Sequence, residues 1–204
     1  METRQIQISQ PSTGEEEWLA AREPILSGWL TQGPKVAAFE EAFAERHRVP
    51  HALAVTSCTT GLHLILTALG IGPGDEVIVP AFTWVATANV VVYCGATPVF
   101  ADVDRATCNL DPDDVARRVT SKTKAIIVVH LFGLPADMDA IAVAAPSIPI
   151  VEDAACAAGA EVNGVTAGGL GLAAAFSFHP RKSITTGEGG MVTTRDPELA
   201  ERMN

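Results

Sequence analysis

Apolar residues follow two rhythms along this chain. Over residues 15–30, Trp18, Leu19, Ile25, Leu26 and Trp29 recur at helical spacing behind a first turn of acids, which predicts helix, although Pro24 argues against one continuous element. Gly33-Pro34 ends that stretch, and residues 35–46 put Val36, Phe39, Ala42 and Phe43 on one face of a second helix. Beyond it, short apolar runs alternate with helical patterns. Strands are predicted at 52–55, 76–79, 98–100, 125–129 and 148–151, with helices at 61–69, 83–93, 112–119 and 138–145 between them. After Val151 the alternation gives way to a Gly-rich stretch, then strands at 173–178 and 190–194 and a helix opening at Asp196-Pro197. That last helix is still running at Asn204, which gives the expectation of a truncated chain.

Strands and helices in alternation predict a largely parallel sheet covered on both faces. The fold class expected is therefore α/β, a three-layer α-β-α arrangement with a mostly parallel, mixed sheet. Turns such as Gly72-Pro73-Gly74-Asp75 punctuate it, and no internal repeat is visible. A length of 204 residues fits one large domain, and 48% apolar against 19% charged residues affords it a core.

The net charge of -10 would repel a polyanion, and no basic patch relieves it, so nucleic acid is not an expected partner. Any phosphate must be held by a local device such as a helix N-terminus. Residues 1–14 are polar, and no run of about 18 uncharged apolar residues occurs, so neither a signal peptide nor a membrane span is expected. Cys58, Cys94, Cys108 and Cys156 form no Cys-x-x-Cys pair and have no histidine at metal-ligand spacing. Reduced thiols in a cytoplasm are the expected reading, with no metal site.

Four places could carry chemistry. Ser57-Cys58-Thr59-Thr60-Gly61 links a strand to a helix beginning near Thr60, where hydroxyls and free amides could cup a phosphate; taken alone it reads as an ordinary N-cap. Neither Gly-x-x-x-x-Gly-Lys-Ser/Thr nor Gly-x-Gly-x-x-Gly occurs after a strand. Asp153 stands at the carboxyl end of a strand, where open α/β folds place ligands, and a carboxylate there could hold a cationic ring nitrogen or simply cap a helix. Lys182 closes Phe176-Ser177-Phe178-His179-Pro180-Arg181-Lys182. Most lysines are solvated charges, but an amine at the end of a buried strand beside Arg181 and His179 can serve as a nucleophile toward an aldehyde. Trp84, at the opening of the predicted 83–93 helix, could stack on a planar ligand or sit in the core.

Together these residues resemble the DegT/DnrJ/EryC1/StrS sugar aminotransferases, within the fold-type-I pyridoxal-phosphate superfamily. The resemblance runs from about Gly28 to the last residue and is carried by Pro80-Ala81-Phe82-Thr83-Trp84-Val85-Ala86-Thr87, Gly95-Ala96-Thr97-Pro98-Val99-Phe100, His130-Leu131-Phe132-Gly133, Val151-Glu152-Asp153-Ala154-Ala155 and the segment ending at Lys182, closed by Gly187-Glu188-Gly189-Gly190. It implies the large domain of an aspartate-aminotransferase-like fold, with residues 1–34 as a lead-in, 35–204 as the domain that binds pyridoxal 5'-phosphate, and a small C-terminal domain missing. It further implies that Lys182 carries the cofactor and moves the proton, Asp153 pairs with the pyridine nitrogen, Cys58, Thr59 and Ser177 hold the phosphate, and Trp84 stacks on the ring.

Two departures from the family pattern bear on these roles. Many members carry Gln where this chain has Cys156, a weaker donor toward the cofactor's phenolic oxygen. Related sugar dehydratases have His in place of Lys182, which favours amino transfer here. The implied reaction moves an amino group from an amino acid, expected to be glutamate, to a keto group of a nucleotide-linked sugar, in a homodimer. A cofactor-binding module without turnover, or another reaction such as dehydration or racemisation, are the alternatives.

Overall fold

The computed structural model describes residues 9–204; residues 1–8 of the expected lead-in lie outside the described residues. Seven strands form one sheet in the order β1-β9-β8-β5-β4-β2-β3. These are β1 (His51–Val55), β2 (Glu76–Pro80), β3 (Thr97–Ala101), β4 (Thr123–Val129), β5 (Ile150–Asp153), β8 (Ala173–Ser177) and β9 (Gly190–Thr194). Pairings β2–β3, β2–β4, β4–β5 and β5–β8 are parallel, whereas β9 runs antiparallel to both β8 and β1, so the sheet is mixed and mostly parallel.

Side-chain alternation divides the core into two faces. Val77 and Val79, Ala125 and Ile127, Val151, and Ala173 and Ala175 point to one side, against α3 (Cys58–Ala68), α4 (Ala86–Tyr93) and α7 (Pro197–Met203). Ile78, Ile126 and Val128 point to the other, against α5 (Pro112–Arg118) and α6 (Met138–Ala144). On that second face Ala174 and Phe176 meet Phe43 of α2 (Pro34–Arg46), whose ring stands edge-on to Phe176 at 5.0 Å. These are the three layers expected from the alternating pattern.

Several details differ from the sequence reading. Helix α1 (Glu15–Ser27) runs through Pro24 without a break, and none of its residues is buried, so its apolar face lies open. Helix α3 begins at Cys58, three residues before the expected start, because Ser57 caps it by accepting a hydrogen bond from Thr60 N. Helix α4 begins at Ala86, so Trp84 stands in the loop ahead of the helix and does not open it. A hairpin of β6 (Glu161–Val162) and β7 (Val165–Thr166) fills the Gly-rich stretch, and two-residue strands leave no alternation to read. Among the described residues no helix is long and apolar enough to cross a membrane.

Candidate active site

The strands β2, β4, β5 and β8 run parallel, so their carboxyl ends share one edge of the sheet, the edge where such folds bind ligands. A cavity of about 560 Å³ opens there, a volume within the usual range for small-molecule sites. Cys58, Thr59, Trp84, Asp153, Cys156, Ser177 and Lys182 all line it. The structure thus brings these seven residues around one space.

Alternation explains who faces the cavity. Val151 and Asp153 share the face of β5 that packs on α3, and Ala173, Ala175 and Ser177 share the same face of β8. Glu152, between Val151 and Asp153, is sent to the opposite face. The N-terminus of α3 meets these strand ends because β9 passes it closely at Gly190, where an added Cβ would fall 2.6 Å from the Ser57 carbonyl carbon and 2.7 Å from Cys58 N. Only glycine permits that approach. In the first turn of α3, Ser57 Oγ accepts from Thr60 N at 3.1 Å, and Gly61 N donates to Ser57 O. The amides of Cys58 and Thr59 have no intrahelical acceptor and lie at the positive end of the helix.

Asp153 is buried, and among the described residues no basic group forms an ion pair with it. Its Oδ2 accepts from Thr87 Oγ1 at 2.8 Å; its Oδ1 accepts from Ala155 N at 3.2 Å and from the Cys58 thiol at 3.7 Å. Burial pushes this carboxyl above the ordinary carboxylate range, while the Thr87 hydroxyl, the Ala155 amide, the charge of Lys182 and the Cys58 thiol draw it part of the way back. Cys58 itself is pushed well up by burial and by the Asp153 carboxylate, so it remains a thiol and a donor. It also points at Ala175 O, 3.4 Å away.

Lys182 follows β8 on a tight turn whose backbone closes from Lys182 N to His179 O at 2.9 Å. Its Nζ donates to Cys156 Sγ at 3.1 Å, and among the described residues no carboxylate lies within ion-pair distance of it. The carboxylate of Glu188, also on the cavity wall, stands instead 3.8 Å from His179 Nε2. Trp84 is 78% exposed and Phe132 80% exposed, the latter held at φ 54° in a single 3-10 turn over Leu131–Gly133. Two large flat rings on the cavity lining are therefore largely exposed.

The geometry adds residues that had appeared only inside longer motifs. Thr87 is fully buried and bonds Asp153, and Thr83 Oγ1 lies 2.9 Å from Thr87 Oγ1. Behind the sheet, Glu152 accepts from His130 Nε2 at 2.9 Å, Gly168 N at 2.7 Å, Leu170 N at 2.9 Å and Gly171 N at 2.6 Å. His130 Nδ1 accepts from Ala136 N at 3.2 Å, which fixes the proton of a neutral ring on Nε2. His130 N in turn donates to Asp153 O at 3.1 Å. This pair ties the loop before α6, the hairpin region and the end of β5 together.

A second cavity of about 620 Å³ lies beside α5 and α6. Three of the four acids that line it are engaged by backbone amides: Asp104 accepts from Ala106 N and Thr107 N, Asp111 caps α5 at Asp113 N, and Asp137 caps α6 at Ala140 N. Among the described residues its lining carries no lysine, histidine or cysteine, whereas the cavity around Lys182 carries all three.

What the lining can do follows from its charges. A buried carboxylate without a cation fits a protonated ring nitrogen, free helix-terminal amides fit a phosphate, an exposed tryptophan fits a flat ring, and a lysine without an acid partner fits an aldehyde. Those four demands are met together by pyridoxal 5'-phosphate.

Comparison with known proteins agrees with that chemistry. The model of the DegT/DnrJ/EryC1/StrS aminotransferase family matches residues 11–204. The aminotransferase TlmJ from Streptoalloteichus hindustanus is 46% identical at a TM-score of 0.93, covering 97% of this chain and 55% of its own. Spr1654 from Streptococcus pneumoniae, solved in PLP and PMP forms, is 35% identical at a TM-score of 0.92, over 97% of this chain and 56% of its own. DesI, solved in the presence of its TDP-sugar product, is 40% identical at a TM-score of 0.90, over 97% of this chain and 51% of its own. The chain thus spans about half the length of these relatives.

Proposed function

The chain belongs to the DegT/DnrJ/EryC1/StrS aminotransferase family, and from that premise we propose that it is the cofactor-holding part of a pyridoxal-phosphate-dependent transaminase that aminates a nucleotide-linked keto sugar. The observation that carries the reading is the shared cavity of Lys182 and the cation-less buried Asp153. Relatives solved in PLP and PMP forms and with a TDP-sugar product support the cofactor and the substrate class. The unit that holds the cofactor is residues 35–204.

Bound there, pyridoxal phosphate supplies an aldehyde for amines and a protonated ring that withdraws electrons from the carbon being aminated. Asp153 keeps the ring nitrogen protonated by placing a negative charge where water is excluded. Free amides at Cys58 and Thr59, with the Ser177 hydroxyl, hold the phosphate, which an acidic chain must grip locally. Trp84 would stack on the ring, and Cys156, whose Sγ lies 3.1 Å from Lys182 Nζ, would be a weak donor toward the phenolic oxygen. Lys182 Nζ would be the covalent anchor and, once released, the base that carries a proton between the substrate carbon and the cofactor carbon.

Glutamate is the amino donor in this reading, the active unit is a homodimer, and the compartment is the cytoplasm. Exposed Trp84 and Phe132 on the cavity lining, with exposed Phe82 and Val85 in the same loop as Trp84, support a partner subunit there, and four free thiols support a reducing compartment. The test is the half-reaction: cofactor-loaded protein given L-glutamate should release stoichiometric 2-oxoglutarate. No 2-oxoglutarate from loaded protein would favour the alternative of a binding module without turnover.

A further inference from the structure

Asp153 is held by more than its own strand. Its Oδ2 takes the hydroxyl of Thr87 from the first turn of α4, and Thr87 Oγ1 lies 2.9 Å from Thr83 Oγ1, which reaches the cavity wall. Thr87 has one proton, and an ionised carboxylate can only accept, so that proton goes to Asp153 and Thr83 must donate to Thr87. The three groups form a chain polarised toward the carboxylate, and with Thr87 and Asp153 both buried each hydrogen bond strengthens the next. The loop that carries Thr83 also carries Trp84.

We propose that Thr87, backed by Thr83, is the positioning residue of the site: it fixes the Asp153 carboxylate in one orientation, keeps it ionised, and couples it to the loop that presents Trp84. The inference rests on the reading of Asp153 as the partner of a cationic ring nitrogen. The other groups facing the carboxylate are the Cys58 thiol from α3, the Ala155 amide, and the Lys182 amine from the segment after β8. Cys58 is a weak and distant donor at 3.7 Å, so Thr87 is the strongest neutral support the carboxylate has. Thr87 does not line the cavity and so acts through Asp153.

The test uses Thr87→Val, which keeps the shape and removes the hydroxyl, and Thr87→Ser, which keeps the hydroxyl. In cofactor-free protein carrying 13C-labelled aspartate, the Asp153 carboxyl resonance is identified by its loss in Asp153→Asn. Its titration midpoint should rise by roughly one to two pH units in Thr87→Val, as expected for losing a hydrogen bond to a charge, and stay near that of the unsubstituted protein in Thr87→Ser. The dissociation constant for pyridoxal phosphate should rise roughly 10- to 100-fold in Thr87→Val. In an Asp153→Asn background the same substitution should change it by less than about threefold, because the group it supports is gone.

A midpoint that does not move in Thr87→Val overturns the proposal, as does equal weakening of cofactor binding with and without the Asp153 carboxylate. Should Thr87→Val fail to fold, Thr83→Val carries the same measurement, with a smaller rise expected and an unmoved midpoint again overturning it. A moved midpoint in protein that binds no cofactor would uphold the positioning role and remove the function proposed above. An unmoved midpoint with normal cofactor binding would do the reverse.

Discussion

Glu152 has no part in the cavity, yet replacing it should damage the fold and the site together. Its carboxylate is the common acceptor for four donors: His130 Nε2 and the amides of Gly168, Leu170 and Gly171. Both Glu152 and His130 are fully buried, so no water can replace a lost bond. In Glu152→Gln one oxygen remains to serve about two donors, while the new amide group must face the others, donor to donor. His130 cannot relieve the clash by moving its proton, because Nδ1 is taken as an acceptor by Ala136 N. At roughly 1–3 kcal/mol per stranded buried donor, Glu152→Gln should cost about 3 kcal/mol, and Glu152→Ala, which strands all four, about 4 kcal/mol or more. Against a total stability of about 5–15 kcal/mol these are large losses. For a domain of this size about 3 kcal/mol corresponds to a fall in Tm of roughly 6–12 °C. Urea unfolding followed by far-ultraviolet circular dichroism measures the loss directly. A cost below about 1 kcal/mol for Glu152→Ala would refute the reasoning that this carboxylate holds the three segments together.

The Asp153 carboxyl sits above its ordinary range, so between the ordinary carboxylate value and its own the folded protein holds a proton that the unfolded chain has released. Its contribution to stability therefore falls as pH rises through that window, and cofactor-free Asp153→Asn, which cannot titrate, should gain on the unsubstituted protein as pH rises from the ordinary carboxylate value; a gap that stays constant or narrows would contradict this. Iodoacetamide at neutral pH should label exposed Cys156 well before Cys58, whose thiol is buried and pushed up by that burial and by Asp153. Peptide mapping decides it, and Cys58 reacting first would overturn the placement of these thiols.

The layers of the fold were readable because β2 and β4 are apolar runs of ordinary length set between helical stretches of clear period, and β5 continues an apolar run that begins at Ile148. The β6–β7 hairpin was not, since two-residue strands carry no pattern, and Pro24 misled because a helix with no buried residue gives no burial signal to outweigh it. The site was legible where chemistry is concentrated in a motif: Asp153 at a strand end, Lys182 after an apolar strand, hydroxyls before a helix. Thr87 was hidden as one small polar residue within the stretch Ala86–Tyr93, and only the fold reveals that this residue meets a strand 66 positions later in the chain. Glu152-Asp153 did hold a clue. Two consecutive acids at the end of a buried strand must face opposite ways, so one had to find partners behind the sheet.

The central claim is that one particular amine carries the cofactor, and the chain has four lysines, Lys35, Lys122, Lys124 and Lys182. Loading the protein with pyridoxal phosphate, reducing with borohydride and mapping peptides by mass spectrometry locates the bond. A phosphopyridoxyl group on the peptide containing Lys182, absent in Lys182→Ala, is the predicted result. A label that settles on Lys35, Lys122 or Lys124 instead, or persists undiminished in Lys182→Ala, would contradict the account.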